Sequence, residues 1–218
     1  MRISLAAPTV DTRVNFWPAL IDMLTSLLMF FLLVYFVERD FSQAGAELAI
    51  ARQKQARFAE EFHREFGPEI RAGQVMDTAS LGLLQIRFGD GVLFDTGEYG
   101  LRPQGQALLT RLAAVFQTLD AGRGSPLYDQ VQIEGHTDTV TLASPEYPAD
   151  NWELSTARAL AVLKFLSRDV RPPLDEARLS ANGYAHTRPI GDSRRNRRIE
   201  IRIVFSGASL PAGAGGPR

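Results

Sequence analysis

The 218-residue chain contains no cysteine. That excludes disulfides, thiolate-ligated zinc, iron–sulfur clusters and thiol nucleophiles. It also removes the residue that a lipoprotein anchor needs. Net charge is nearly absent: 24 Lys and Arg face 25 Asp and Glu, giving −1. Nucleic-acid binding needs a basic surface and gains no support from that balance; the short cluster Arg194, Arg195, Arg197 and Arg198 runs into a strand pattern. There is no phosphate-cradling P-loop, no dinucleotide loop and no G-x-S-x-G elbow around Ser144 or Ser155. Glu134, His136 and Asp138 do not follow a zinc-ligand spacing, so no metal or cofactor is expected. Glu134, Asp138 and Glu153 offer carboxylates without a general-acid/base pairing, and no enzyme is expected. What remains is a 45% hydrophobic chain, apolar enough for a folded core.

That hydrophobicity is unevenly distributed. Residues 16–37, FWPALIDMLTSLLMFFLLVYFV, carry one ionisable side chain, Asp22. As a helix they would span about 33 Å, matching the hydrocarbon core of a bilayer. The run is too long for a signal peptide and leads into bulky Tyr35, Phe36 and Val37. An uncleaved single span is expected. Basic residues flank it on both sides, so charge counting does not fix its orientation. A carboxylate in lipid costs several kcal/mol unless it faces protein or water. Thr25, Ser26 and Met29 share its face at helical spacing. Asp22 therefore either carries an ion or proton, with Thr25 beside it, or specifies helix pairing. One helix cannot enclose a pore, so ion carriage would require another membrane protein.

Residues 38–82 read as a helical connector and linker. Phe58, Phe62 and Phe66 form an i+4 stripe on an amphipathic helix that is expected to end at Gly67-Pro68. A spacer, and a plug or pairing helix near a pore mouth, are both open for it. From Leu83 the pattern turns into an α/β domain through residue 206. Leu84, Ile86 and Phe88 alternate as a strand, and Val92 to Phe94 pair locally after a Gly-Asp-Gly turn. A helix is expected at 103–121, a strand at Val131 and Ile133, and a helix at 151–168 capped by Asp150 and Glu153. Strands follow at Leu179–Gly183 and Ile199–Phe205. This β-α-β-α-β-β order predicts helices on one side of a mixed sheet. Residues 1–15 and 207–218 read as tails, the latter disordered.

Thr137 and Asp138 follow directly on a strand, where ligand sites often lie. A carboxylate there can receive an ammonium, and Arg158 on the next helix can grip a carboxylate with two parallel hydrogen bonds. Together they would suit a zwitterion, with Asn151 completing the pocket. The plainer reading makes Asp138 a turn residue and Arg158 a salt-bridge residue.

IEGHTD at 133–138, NWELSTARA at 151–159, NGYAHTRP at 182–189 and NRRIEI at 196–201 resemble the OmpA-like peptidoglycan-binding domain. GDGVLFDTGEYGLRPQG at 89–105 is similar to its entry segment. WPALIDMLTSLLMFFLLV at 17–34 resembles the membrane segment of MotB-type stator subunits. The resemblance implies that Asp22 carries H+ or Na+. It implies that Thr137, Asp138 and Arg158 surround the diaminopimelate-containing stem peptide of peptidoglycan, shaped by Asn151 and Leu154. Asn196 and Arg198 match the terminal motif and would support the groove. It further implies a bacterial inner-membrane homodimer with a cytoplasmic N-terminus and a periplasmic domain, standing inside a pentameric MotA-like ring. Flagellar, Zorya-type antiphage and other envelope motors share that architecture. The alternative is a passive wall tether without ion transport.

Overall fold

The computed structural model describes residues 16–121, 127–140 and 148–206. The expected tails at 1–15 and 207–218 lie outside these residues. The chain divides into two compact units, one ending at Gly45 and one starting at Ala46.

Helix α1 runs Trp17–Arg71. Within the first unit its apolar stretch is long enough to cross a membrane, and its side chains are exposed, Met29 to 70% and Phe30 to 60%. So much apolar surface is costly in water and suits lipid or neighbouring membrane helices. Asp22 and Thr25 sit on this exposed stretch one turn apart. The Thr25 hydroxyl lies 2.8 Å from the Ile21 carbonyl and 2.9 Å from that of Asp22, so its proton is held within the helix.

Among the described residues the second unit has five strands: β1 (Val75–Ser80), β2 (Leu83–Gly89), β3 (Gln130–His136), β4 (Leu179–Gly183) and β5 (Arg198–Val204). Their order is β1-β2-β5-β3-β4. Only β3 and β4 run parallel. A parallel pair needs a long crossover, which helix α4 (Asn151–Lys164) provides. Leu84, Ile86, Phe88, Val131, Ile133, Ile199, Ile201 and Ile203 alternate onto one face and join a single core with α3 (Pro103–Asp120), α4 and the last turns of α1. The other face carries Gln85, Arg87, Glu134, His136, Arg198, Glu200 and Arg202. The expected mixed α/β sheet with helices on one side is what forms.

Several expectations change. Phe58, Phe62 and Phe66 are fully buried in this core, with Phe62 and Phe66 stacked at 4.7 Å and Phe58 against Phe116 at 4.8 Å. Burying three phenylalanines contributes several kcal/mol. The end of α1 is thus part of the folded domain, not an exposed spacer, and the domain extends well before Leu83. Arg111 on α3 fastens it, bonding Glu65 at 2.9 Å and Glu69 at 2.5 Å. That guanidinium holds the Glu69 carboxyl below its usual range. Pro68 does not end the helix, which continues to Arg71 and stops at Gly73 with φ 69°. The segment after it forms edge strand β1. Residues 90–93 form a short helix, α2, leaving Phe94 to bridge Leu101. The helix expected at 151–168 changes to a π turn at Phe165–Asp169.

Two paired glycines bring α4 onto the sheet. Gly135 and Gly183 are register partners on β3 and β4. A Cβ at Gly135 would collide with the Ser155 backbone, and one at Gly183 with Thr156 and the Ser155 hydroxyl. Their bare backbones let the first turns of α4 lie on the strand ends. Asp150 caps that helix, accepting from the N–H groups of Trp152 and Glu153, both at 2.8 Å. Glu153 reaches back to the Ala149 N–H at 2.8 Å.

Phe62→Ala in the full chain should lower unfolding free energy by about 3–5 kcal/mol in denaturant titration. A change under about 0.5 kcal/mol is what an exposed spacer would show. Gly135→Ala should cost about 3 kcal/mol by forcing α4 off the sheet, measured the same way.

Candidate functional site

A cavity of about 220 Å³ opens where α4 meets the end of β3. It is lined by Asp90, Thr96, Gly97, Thr137, Asp138, Val140, Asn151, Leu154, Arg158 and Arg197. Five of the seven residues expected to bind ligand therefore meet here: Thr137, Asp138, Asn151, Leu154 and Arg158. The glycine seat explains the convergence, since it sets Asn151, Leu154 and Arg158 of α4 beside the residues that follow β3.

Asp138 is buried, 5% exposed. One carboxylate oxygen accepts from the Val140 N–H at 3.1 Å, and the other meets Arg197 Nη1 at 2.5 Å. Asn151 steadies the same turn, its Nδ2 donating to the Val140 carbonyl at 2.8 Å. Asp138 is thus a turn residue and, at the same time, a charged wall of the cavity. Most of the 139–149 segment lies outside the described residues.

Arg158 is 2% exposed. Its Nε donates to the Glu98 carbonyl at 2.7 Å and its Nη2 to the Asp95 carbonyl at 3.2 Å. Its Nη1 pairs with Asp90 at 2.7 Å, and the guanidinium lies 5.1 Å from the Phe94 ring centre. Among the described residues these contacts engage three of its five N–H groups. Burial pushes the Asp90 carboxyl above its ordinary range, against the pull of Arg158 and Arg197. Burial also lowers the Arg158 guanidinium, opposed by Asp90. The cavity therefore holds two carboxylates and two guanidinium groups, paired with one another. The Thr137 hydroxyl is buried beside them with no hydrogen-bond partner among the described residues. An unpaired buried hydroxyl costs roughly 1–3 kcal/mol, and a ligand could relieve that cost.

Two expected site residues are elsewhere. Asn196 holds the 190–191 turn, its Oδ1 accepting from Ile190 at 2.8 Å and Gly191 at 3.2 Å. Arg198 is buried against Glu200 at 2.5 Å and donates to the Asn196 and Arg188 carbonyls, both at 3.1 Å. Neither lines the cavity, because strand alternation sends Arg198 to the polar sheet face and leaves its neighbour Arg197 at the mouth. Asp90 and Arg197 were the residues that spacing missed. They meet through the β2–β5 register, the Asp90 N–H donating to the Arg197 carbonyl at 3.1 Å. No local signal marks that pairing. Asp22 and Thr25 lie in the other unit, on the apolar helix.

Known proteins are similar to this chain in sequence and fold. Bacillus subtilis (strain 168) YtxE is 37% identical over 123 residues, covering 54% of this chain and 46% of that protein. The chain thus spans about half the length of that relative. A MotB-like protein from Desulfovibrio vulgaris has the same fold, with a TM-score of 0.59 and 24% identity over 72% of this chain and 97% of that one. The cell wall anchor of the T6SS from Pseudomonas aeruginosa matches with a TM-score of 0.56 and 27% identity, over 66% of this chain and 96% of that one. Residues 93–202, about half of the sequence, match the OmpA family, and the chain belongs to that family.

Proposed function

We propose that this chain is the peptidoglycan-anchored subunit of an ion-driven rotary motor. Its cavity takes the zwitterionic end of diaminopimelate in the stem peptide. The carrying observation is the set of two carboxylates, two guanidinium groups and one unpartnered hydroxyl in one small cavity. A zwitterion can enter such a site by exchange. Its ammonium takes the place of Arg197 on Asp138, and its carboxylate takes the released guanidinium together with N–H groups of Arg158. Buried charge is then exchanged for buried charge, which avoids leaving either partner unpaired. The Thr137 hydroxyl gains the partner it lacks. Paired charges and a hydroxyl of this kind suit recognition of a charged ligand.

The motor half of the reading rests on Asp22, the single carboxylate in the apolar stretch of α1. In a homodimer two such carboxylates would stand inside a pentameric MotA-like ring, each relaying H+ or Na+ across the inner membrane. The wall-bound periplasmic domains would hold the dimer still while the ring turns, in a flagellar, antiphage or other envelope motor.

Asp138→Ala and Arg158→Ala should each weaken sacculus binding by roughly tenfold or more, read by co-sedimentation with purified peptidoglycan. Normal binding by both would remove the site. Thr137→Val should weaken binding while leaving stability unchanged or raised, because its hydroxyl has no partner to lose. With the ring subunit present, Asp22→Asn should leave assembly intact and abolish ion flux. Unchanged flux would make the chain a passive tether.

A further inference from the structure

We propose that Glu134, His136 and Glu200 form a binding site for a divalent transition-metal ion of the Zn2+ class. The site lies on the polar sheet face, away from the cavity above. Sequence spacing gave no hint of it, because one ligand comes from a distant strand. In the antiparallel β3–β5 register Glu134 faces Glu200 and His136 faces Arg198, so all three side chains leave the same face.

The distances suit a shared ion better than hydrogen bonds. His136 Nε2 stands 3.8 Å from Glu134 Oε2 and 3.9 Å from Glu200 Oε2. The three donor atoms lie within 4.8 Å of one another. Those gaps exceed hydrogen-bond length. Two ligands each about 2.1 Å from one Zn2+ ion, at tetrahedral to wider angles, sit roughly 3.4–4 Å apart. His136 is 2% exposed, and neither ring nitrogen has a hydrogen-bond partner among the described residues. A buried imidazole left wholly unpaired is costly, and a metal would satisfy Nε2.

The surroundings form an outer shell. Glu134 Oε1 accepts from Arg202 Nη1 at 3.2 Å. Glu200 Oε1 accepts from Arg198 Nε at 2.5 Å and Arg87 Nε at 3.2 Å. The Arg202, Arg198 and Arg87 contacts thus use the carboxylate oxygens that do not face His136, orienting the other oxygens inward. Two groups also approach the inward oxygens. Gln85 Nε2 bonds Glu200 Oε2, and Arg188 Nη1 lies 3.9 Å from Glu134 Oε2. Tyr184 stacks on His136 at 5.4 Å and fixes the ring plane. The nearby arginines oppose a further cation, so the ion must displace Gln85 and Arg188 from the inward oxygens. Two carboxylates and one imidazole favour Zn2+ or Co2+ over Mg2+ or Ca2+, which prefer all-oxygen shells.

The test uses the full chain in detergent, stripped of metal with a chelator, and titrated with Zn2+ by calorimetry. One ion per chain is expected. Glu134→Gln and Glu200→Gln should each weaken it by about 10–100-fold, the cost of disturbing a metal shell. His63 and His186 are the other two histidines, and His63→Ala/His186→Ala should bind as the parent does. In that double variant His136 is the one remaining imidazole, so Co2+ absorption and NMR must report a coordinated imidazole. No stoichiometric Zn2+ binding, or a Co2+ complex of the double variant without imidazole coordination, would overturn the site. That second readout needs no change to the buried histidine.

Discussion

The backbone of α4 lies directly on the backbones of β3 and β4, at two glycines paired across the strands. Gly135 and Gly183 leave no side chain between helix and sheet. Everything in the cavity follows from that approach. The Ser155 hydroxyl accepts from the Ala185 N–H at 3.0 Å, tying the helix to the turn beyond β4. Ala185 in turn accepts from the Thr137 N–H at 2.9 Å. Thr137 and Asp138 are thereby fixed against the helix that carries Arg158. A helix seated one methyl group farther out would open the cavity and part its charges.

The cavity is a closed economy of charge. Arg158 answers Asp90, and Arg197 answers Asp138. Buried charges of one sign alone would be prohibitive, so the free protein pairs them internally. A ligand with both charges can replace those partners one for one. A simple anion or cation would strand a buried group of its own sign. On the proposed function, specificity for a zwitterion would be enforced by the cost of the wrong exchange as much as by attraction to the right one.

Strand periods, helix stripes and the Asp150 cap were legible because each is written in neighbouring residues. Ile199, Ile201 and Ile203 alternate, and the burial follows. The Phe58, Phe62 and Phe66 stripe was legible as a helix face, but not its destination, because periodicity does not say what covers it. Pro68 misled because a proline in a last turn removes one hydrogen bond without stopping the helix. Within the cavity, the residues carried by helix and loop motifs were visible. Asp90 and Arg197 were hidden because they meet only through a register between distant strands. Alternation also explains why Arg198, part of the same motif, points away.

Two units with separate chemistries are carried on one chain, an apolar helix with a lone carboxylate and an OmpA-family domain with a paired-charge cavity. The central claim is that this cavity recognises both charges of diaminopimelate. Amide NMR of the full chain during titration with a diaminopimelate stem peptide, against one carrying lysine instead, tests it most directly. The account predicts saturable shifts centred on Thr137, Asp138, Arg158 and Arg197 with the first peptide, and much weaker binding of the second, which lacks the side-chain carboxylate. Equal affinity for both peptides, or shifts that avoid those residues, would contradict it.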